Sequence, residues 1–341
     1  MSHSISKGRG AVLVATAGVM ALTLGACSGS TSSSGGSGQF AAVVKGLDNP
    51  FFQSMESGIN DQASDSGVEV TVQAATSITD TTGQADKLNG LAGQNFSCFI
   101  VNPITGTNLV QGIASLSAKN IPIVNIDSPI DADAATAANA KIATYIGTDN
   151  NDAGAQAAAE MGRLLPGGGT VALIGGTSGD VTSAARLDGF TAAVPPNITI
   201  VATVAADWER QMALTRATDL MTANPTLSAF FVANDDMGLG VAQAIANKGM
   251  TGKIKVISVD GNKEAFEAVK TGGIDAVVAQ FPYVIGAMGV EACKAAAAGK
   301  ELPANVKAPV QVVTKANVDD ALASAPKPAA PYDDPFAELA K

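Results

Sequence analysis

The sequence predicts an α/β fold of two similar lobes, and three observations carry that reading. Eight short apolar runs alternate with helix-compatible stretches along the chain. Two long segments repeat the same order of elements. The polar residues that close the runs recur at matched places in both repeats.

The runs are, in order, "FAAVV" (40–44), "VEVTVQ" (68–73), "CFIVN" (98–102), "IPIVNID" (121–127), "TVALIGG" (170–176), "ITIVATV" (198–204), "AFFVAND" (229–235) and "KVISVDG" (255–261). Strands this short, separated by helices of about 10–15 residues, predict parallel sheets covered on both faces. Segment 97–127 lines up with segment 228–260. In each, a strand ends at an Asn, a helix follows, and the next strand ends in Asp. Asp127 and Asp260 stand 133 residues apart, close to one domain length. Ligands of open parallel sheets sit beyond the carboxyl ends of the strands. Asn102, Asp127, Asn234 and Asp260 all lie at such ends. Each alone also suits a helix cap or a turn; four at matched positions point to a cleft lined from both lobes.

The first run is followed by "LDNPFF" (47–52). Side chains alternate across a strand, so Phe51 and Phe52 cannot both face one core there, and Pro50 marks the strand as ended. Two large aromatics are therefore expected on a loop.

The beginning of the chain bears on location. Lys7 and Arg9 precede the apolar stretch "AVLVATAGVMALTLGA" (11–26), which reads as a secretory signal. Its end, "LGAC" (24–27), resembles the lipobox of bacterial lipoproteins, where the signal is cut before a cysteine that then carries lipid. That resemblance makes Cys27 the expected lipid attachment. "SGSTSSSGGSG" (28–38) is a flexible polar tether.

Several classes of function are disfavoured by composition. The formal net charge of −10 becomes −12 once Lys7 and Arg9 leave with the signal, a surface that repels nucleic acid phosphates. His3 is the one histidine, and it leaves too. The mature chain has no Ser-His-Asp or Cys-His constellation and no imidazole metal ligand. Cys98 and Cys293 lie in apolar contexts and are expected as buried thiols rather than a disulfide. The glycines of "LPGGGTVALIGGTSGD" (165–180) match neither the dinucleotide nor the P-loop spacing. No cofactor and no metal are expected.

At this point the residues resemble a family, the periplasmic solute-binding proteins of ribose type, which deliver sugars to ABC transporters. The likeness runs from about Phe40 to Asn317, through "NPFFQSMESG", "FIVNP", "IPIVNIDS", "GTDNNDAG", "TSAARLDGF", "ADWERQMAL", "FFVANDDMGLG", "SVDGNKEAFEAVKTGGIDAVVAQFP" and "VTKANV". It implies two Rossmann-like lobes joined by three hinge strands, the type I periplasmic binding protein fold, with crossings near Thr148, Gln280 and residue 308. The implied plan is a signal (1–26), a tether (27–38), a first lobe (39–148 with 281–308), a second lobe (149–280 with 309–320) and a Pro/Ala-rich tail (321–341). The resemblance also implies ligand contacts at Asn49, Phe51, Phe52, Asn102, Asp127, Arg186, Trp208, Asn234, Asp260 and Gln280. The chain departs from ribose binders at three places. Ser128 stands where they carry an Arg, Val259 where they carry an aromatic, and Lys45 where they carry a hydroxyl residue. Lys45 joins the candidate set, and the departures tilt the expected solute away from ribose, toward a polyol or an uncommon pentose.

These residue types suit a polyhydroxy ligand. Aromatic faces cover C–H faces, here Phe51 and Phe52 on one side and Trp208 on the other. Asp127 and Asp260 accept hydrogen bonds, Arg186 donates several, and the amides of Asn49, Asn102, Asn234 and Gln280 do both. The leading expectation is a monomeric, lipid-anchored, extracytoplasmic protein that captures a monosaccharide or short polyol for the permease of an ABC importer. The alternative is a tethered sensor presenting its loaded form to a chemoreceptor or kinase. An exported glycosidase using Asp127 and Asp260 is disfavoured, since an Arg beside carboxylates is expected to keep them ionised.

Overall fold

A computed structural model describes residues 38–341. The signal, Cys27 and the tether through residue 37 lie outside the described residues. The chain first lays down β1 (Gln39–Val44), α1 (Pro50–Ser66), β2 (Glu69–Ala74), α2 (Thr81–Ala92), β3 (Cys98–Val101), α3 (Val110–Ser117), β4 (Ile123–Ile126), α4 (Ala132–Ala138) and β5 (Thr144–Gly147). It then builds α5 (Asn150–Leu164), β6 (Gly169–Gly175), α6 (Val181–Ala193), β7 (Ile198–Ala205), α7 (Arg210–Ala223), β8 (Ala229–Val232), α8 (Asp235–Asn247), β9 (Lys255–Asp260), α9 (Lys263–Thr271) and β10 (Ala276–Gln280). Last come α10 (Pro282–Ala297), β11 (Asn305–Lys307), β12 (Val310–Thr314), α11 (Val318–Ser324) and α12 (Phe336–Leu339).

Two six-stranded sheets result, in the orders β11-β5-β4-β3-β1-β2 and β12-β10-β9-β8-β6-β7. The central strands β3, β4 and β8 are buried along their whole length, as continuous apolar runs covered on both faces must be. The fold is the predicted one, two parallel-sheet α/β lobes, with one strand reversed: β12 pairs antiparallel with β10. The chain passes between sheets after β5, after β10, and between β11 and β12.

Four strands escaped the sequence reading, namely β5, β10, β11 and β12. All adjoin the crossings, where runs of three to five residues give little periodicity. The aromatic pair is also placed differently from expectation. Phe51 and Phe52 lie not on a loop but in the first turn of α1, where Pro50 tolerates the missing N–H and Asn49 Oδ1 accepts from Phe51 N at 2.9 Å.

The two cysteines form a disulfide, contrary to the expectation of free thiols. Cys98 on β3 and Cys293 on α10 lie 5.6 Å apart between Cα atoms and 195 residues apart in sequence. The bond fastens α10 to the first sheet after the chain has returned from the second lobe. Contexts that looked merely apolar were two sides of one core, a proximity that sequence spacing does not reveal.

Candidate functional site

Both lobes wall one cavity of about 340 Å³. From the first lobe come Lys45 after β1, Asn49, Phe51 and Phe52 at the start of α1, and Asp127 and Ser128 after β4. From the second come Arg186 on α6, Trp208 after β7, Asn234 after β8, and Asp260 at the end of β9. The strand-end rule holds in each lobe. Nine of the eleven ligand residues expected from sequence line the wall. The other two, Asn102 and Gln280, stand behind it.

Those two support the carboxylates. Gln280 Nε2 donates to Asp260 Oδ1 at 2.8 Å, and Asn102 lies beside Asp127. Among the described residues, the buried Asn102 Oδ1 and Gln280 Oε1 have no hydrogen-bond partner. Buried amide oxygens are seldom left so, and each stands next to a group that hydroxyl donors would reach. Asn49 and Asn234 both cap helices and line the cavity. Asn234 Oδ1 accepts from Met237 N at 2.9 Å, so the capping and ligand readings of these residues are compatible.

The backbone is unusual where the expected ligand residues sit. Asp127, Trp208 and Asp260 have φ of 61°, 66° and 144°, in the region that disfavours residues with a Cβ. Such conformations cluster at ligand clamps, held by their surroundings. Tyr145 Oη donates to Asp127 O at 2.6 Å, and Asn125 Nδ2 donates to Ser128 O at 2.9 Å. In the second lobe Asp235 takes hydrogen bonds from Gly261 N, Asn262 N and Ser258 Oγ, fixing the turn after Asp260. Trp208 rests on Gly176, where a Cβ would lie 2.1 Å from Trp208 Cε2. Sequence reasoning missed Tyr145, Asn125 and Asp235. Asp235 had a signal, following Asn234 directly; Tyr145 sits in the unrecognised β5. The last four residues of the glycine-rich stretch rejected as a nucleotide loop, 177–180, lie at the cavity wall.

Two cations, Lys45 and Arg186, shape the electrostatics. Lys45 Nζ donates to Ser128 Oγ at 2.7 Å, lies 4.0 Å from Asp127 Oδ2, and sits 5.3 Å from the Phe52 ring centroid. Ser128 Oγ in turn donates to Asp127 Oδ2 at 3.3 Å. Arg186 donates through Nε to Asn150 Oδ1, through Nη1 to Ala233 O at 2.6 Å, and reaches Asp260 Oδ1 at 3.4 Å. Its guanidinium stands 5.9 Å from the Trp208 ring. Arg186 thus pairs with Asp260, and Val259 belongs to the core behind the sheet.

Burial overrides the cations at both aspartates. Desolvation lifts the Asp127 carboxyl above the usual range against the pull of Lys45 and Arg186. It lifts Asp260 to about 6, against Arg186 and Gln280. The expectation that Arg186 simply keeps these carboxylates ionised is therefore corrected, because the cost of removing them from water is larger. At neutral pH Asp260 is still mostly charged and accepts hydroxyl donors.

The comparisons with known proteins agree with this geometry. Residues 40–301 match the family model described as a periplasmic binding protein domain. The D-allose-binding periplasmic protein of Escherichia coli is 38% identical over 275 residues, covering 80% of this chain and 88% of that protein. A ribose import binding protein of Bacillus subtilis is 31% identical, covering 80% and 86%. A periplasmic solute binding protein of an ABC transporter from Actinobacillus succinogenes, solved with bound D-allose, superposes with a TM-score of 0.80 at 29% identity, covering 83% of this chain and 99% of that one. Family, fold and cleft coincide: the chain belongs to the periplasmic binding protein family, as a ribose-type sugar-binding protein of ABC transporters and not an enzyme.

Proposed function

We propose that this chain captures a single monosaccharide between its lobes and hands it to the permease of an ABC importer, working as a monomer held to the outer face of the membrane through lipid on Cys27. The observation that carries the reading is one cavity with an aromatic pair on one lobe, a tryptophan on the other, and a buried aspartate at the matched strand end of each. Phe51, Phe52 and Trp208 cover the C–H faces of the ring. Asp127 and Asp260 accept from its hydroxyls, while Lys45, Arg186, Asn49 and Asn234 donate. Asn102 and Gln280 hold the two carboxylates and offer their unpaired oxygens. Hydrogen bonds to charged groups contribute about 1.5–3 kcal/mol each, so four or five reach micromolar affinity after association costs.

An aldohexose of the D-allose kind is the first candidate. The tilt toward a polyol or uncommon pentose rested on the loss of a cation at Ser128 and of an aromatic at Val259; Lys45 supplies a cation at the first place, and Val259 lies in the core behind the sheet. The relatives that bind D-allose by name support the same choice. The Cys98–Cys293 bond suits an oxidising, extracytoplasmic compartment. Calorimetry against D-allose, D-ribose, other hexoses and pentoses, and xylitol tests the assignment. Saturable binding of an aldohexose, tighter than that of ribose and xylitol, is expected. Binding of none of these solutes would overturn it.

A further inference from the structure

The last residues join the lobes once more, away from the hinge. Helix α11 belongs to the second lobe: Val318 and Ala321 are buried, and Asp319 Oδ1 pairs with Lys270 Nζ of α9 at 2.8 Å. The chain then leaves for the first lobe. Lys327 Nζ lies 5.3 Å from the ring centroid of Tyr283 on α10, whose hydroxyl donates to Asp61 Oδ2 of α1 at 2.9 Å. Helix α12 packs on α10, with Phe336 wholly buried. Helix α10 is itself bonded to the first sheet through Cys293. The three hinge crossings are single passages of backbone and cannot let go. This fourth crossing is held by side chains alone, so it can.

Its inner contact is a pair of carboxyl groups. Glu291 on α10 faces Asp334, whose Oδ1 also accepts from Phe336 N and Ala337 N and so caps α12. Glu291 Oε2 is buried and has no donor among the described residues. Two carboxylates in contact repel, whereas one shared proton turns the pair into a hydrogen bond.

We propose that residues 326–341 form a releasable strap that ties the second lobe to the first and restrains opening of the cleft, with the contact between Glu291 and Asp334 as its latch. The groups that face Glu291 are Asp334 and Tyr332 from the strap and Lys294 from its own helix. Glu338 of α12 pairs with Lys341 beyond its end, and Asp61 and Asp65 of α1 face Tyr283. Burial first, then the hydrogen bond and charge of Asp334, pushes the Glu291 carboxyl up to about 8. Released into water it returns toward its ordinary value of 4.5. The docked strap therefore holds more protons between those two values. Docking is strongest below the lower value, weakens as pH rises between them, and is weakest above the upper one. Alkaline surroundings free the lobes.

Amide hydrogen exchange of residues 327–341 in the full chain, corrected for intrinsic rates, reads the latch without any sugar. Protection should fall at least about tenfold from pH 6 to pH 9 in the native chain and stay level in Glu291→Gln, whose neutral amide donates to Asp334 at every pH. Small-angle scattering of the ligand-free protein reads the restraint. A chain lacking 326–341 should show a larger radius of gyration than the native chain at pH 6, and the native chain should expand at pH 9. Should the shortened chain fail to fold, the pH series on the native protein and Glu291→Gln still decides. Protection indifferent to pH, an unchanged pH response in Glu291→Gln, or a native radius that is the same at pH 6 and pH 9 would each overturn the proposal.

Discussion

Lys45 Nζ donates to Ser128 Oγ across 2.7 Å, and Ser128 Oγ donates onward to Asp127. Both donors stand at positions where the resemblance to ribose binders implies a departure. The two compensate each other: a neutral serine after β4 relays to Asp127 the pull of a lysine after β1, with β3 between the two strands.

That relay gives a first expectation. Lys45→Met removes the nearest cation from a buried carboxylate and should weaken sugar binding by about 2–4 kcal/mol, with folding retained. Lys45→Arg should recover part of it. Calorimetry on the three proteins checks this, and equal affinity for all three would remove Lys45 from the site.

Asp260 makes affinity depend on pH. Its carboxyl titrates near 6 because burial disfavours the charge, and the ionised form accepts sugar hydroxyls more strongly than the protonated one. Binding is thus full above 6 and lost as pH falls through it, by about tenfold between pH 7 and pH 5. Asp260→Asn should bind weakly with a flat profile over that range. Titrations at four pH values are enough to see the slope.

The disulfide acts on stability. Cys98→Ser with Cys293→Ser should lower unfolding free energy by about 2–4 kcal/mol, since the bond closes a loop containing most of the second lobe. Affinity should change little, because neither residue touches the cavity. Thermal unfolding of native and variant proteins measures the difference.

Much of this was legible in the sequence. The duplicated strand–helix–strand pattern exposed both lobes, and polar residues closing apolar strands exposed both halves of the cleft. What stayed hidden depends on the third dimension. The pairing of Cys98 with Cys293 needs α10 laid on β3, and the relay from Lys45 needs β1 and β4 ends brought together. The pull of Arg186 on Asp260 was foreseen, but the larger desolvation was not, because burial depth has no sequence signature. Glu291 and Asp334 meet because α12 settles on α10, a contact no sequence pattern marks.

Anchoring is a separate matter of location. Cys27→Ala should move the protein from the membrane fraction to the soluble one, since lipid on that cysteine is the attachment the sequence offers. Fractionation followed by immunoblotting decides it; a variant that stays with the membrane contradicts the anchor.

Trp208 provides the most direct test of the central claim, that a sugar is held between the lobes. It is the one tryptophan of the chain, half-buried beside Arg186 at the cavity wall. Sugar binding should remove water from its ring and change its emission saturably, with the midpoint that calorimetry gives for the same sugar. Trp208→Phe should keep most of the affinity and lose the signal. A sugar that binds by calorimetry yet leaves the emission of the native protein unchanged would place the ligand elsewhere and contradict the account.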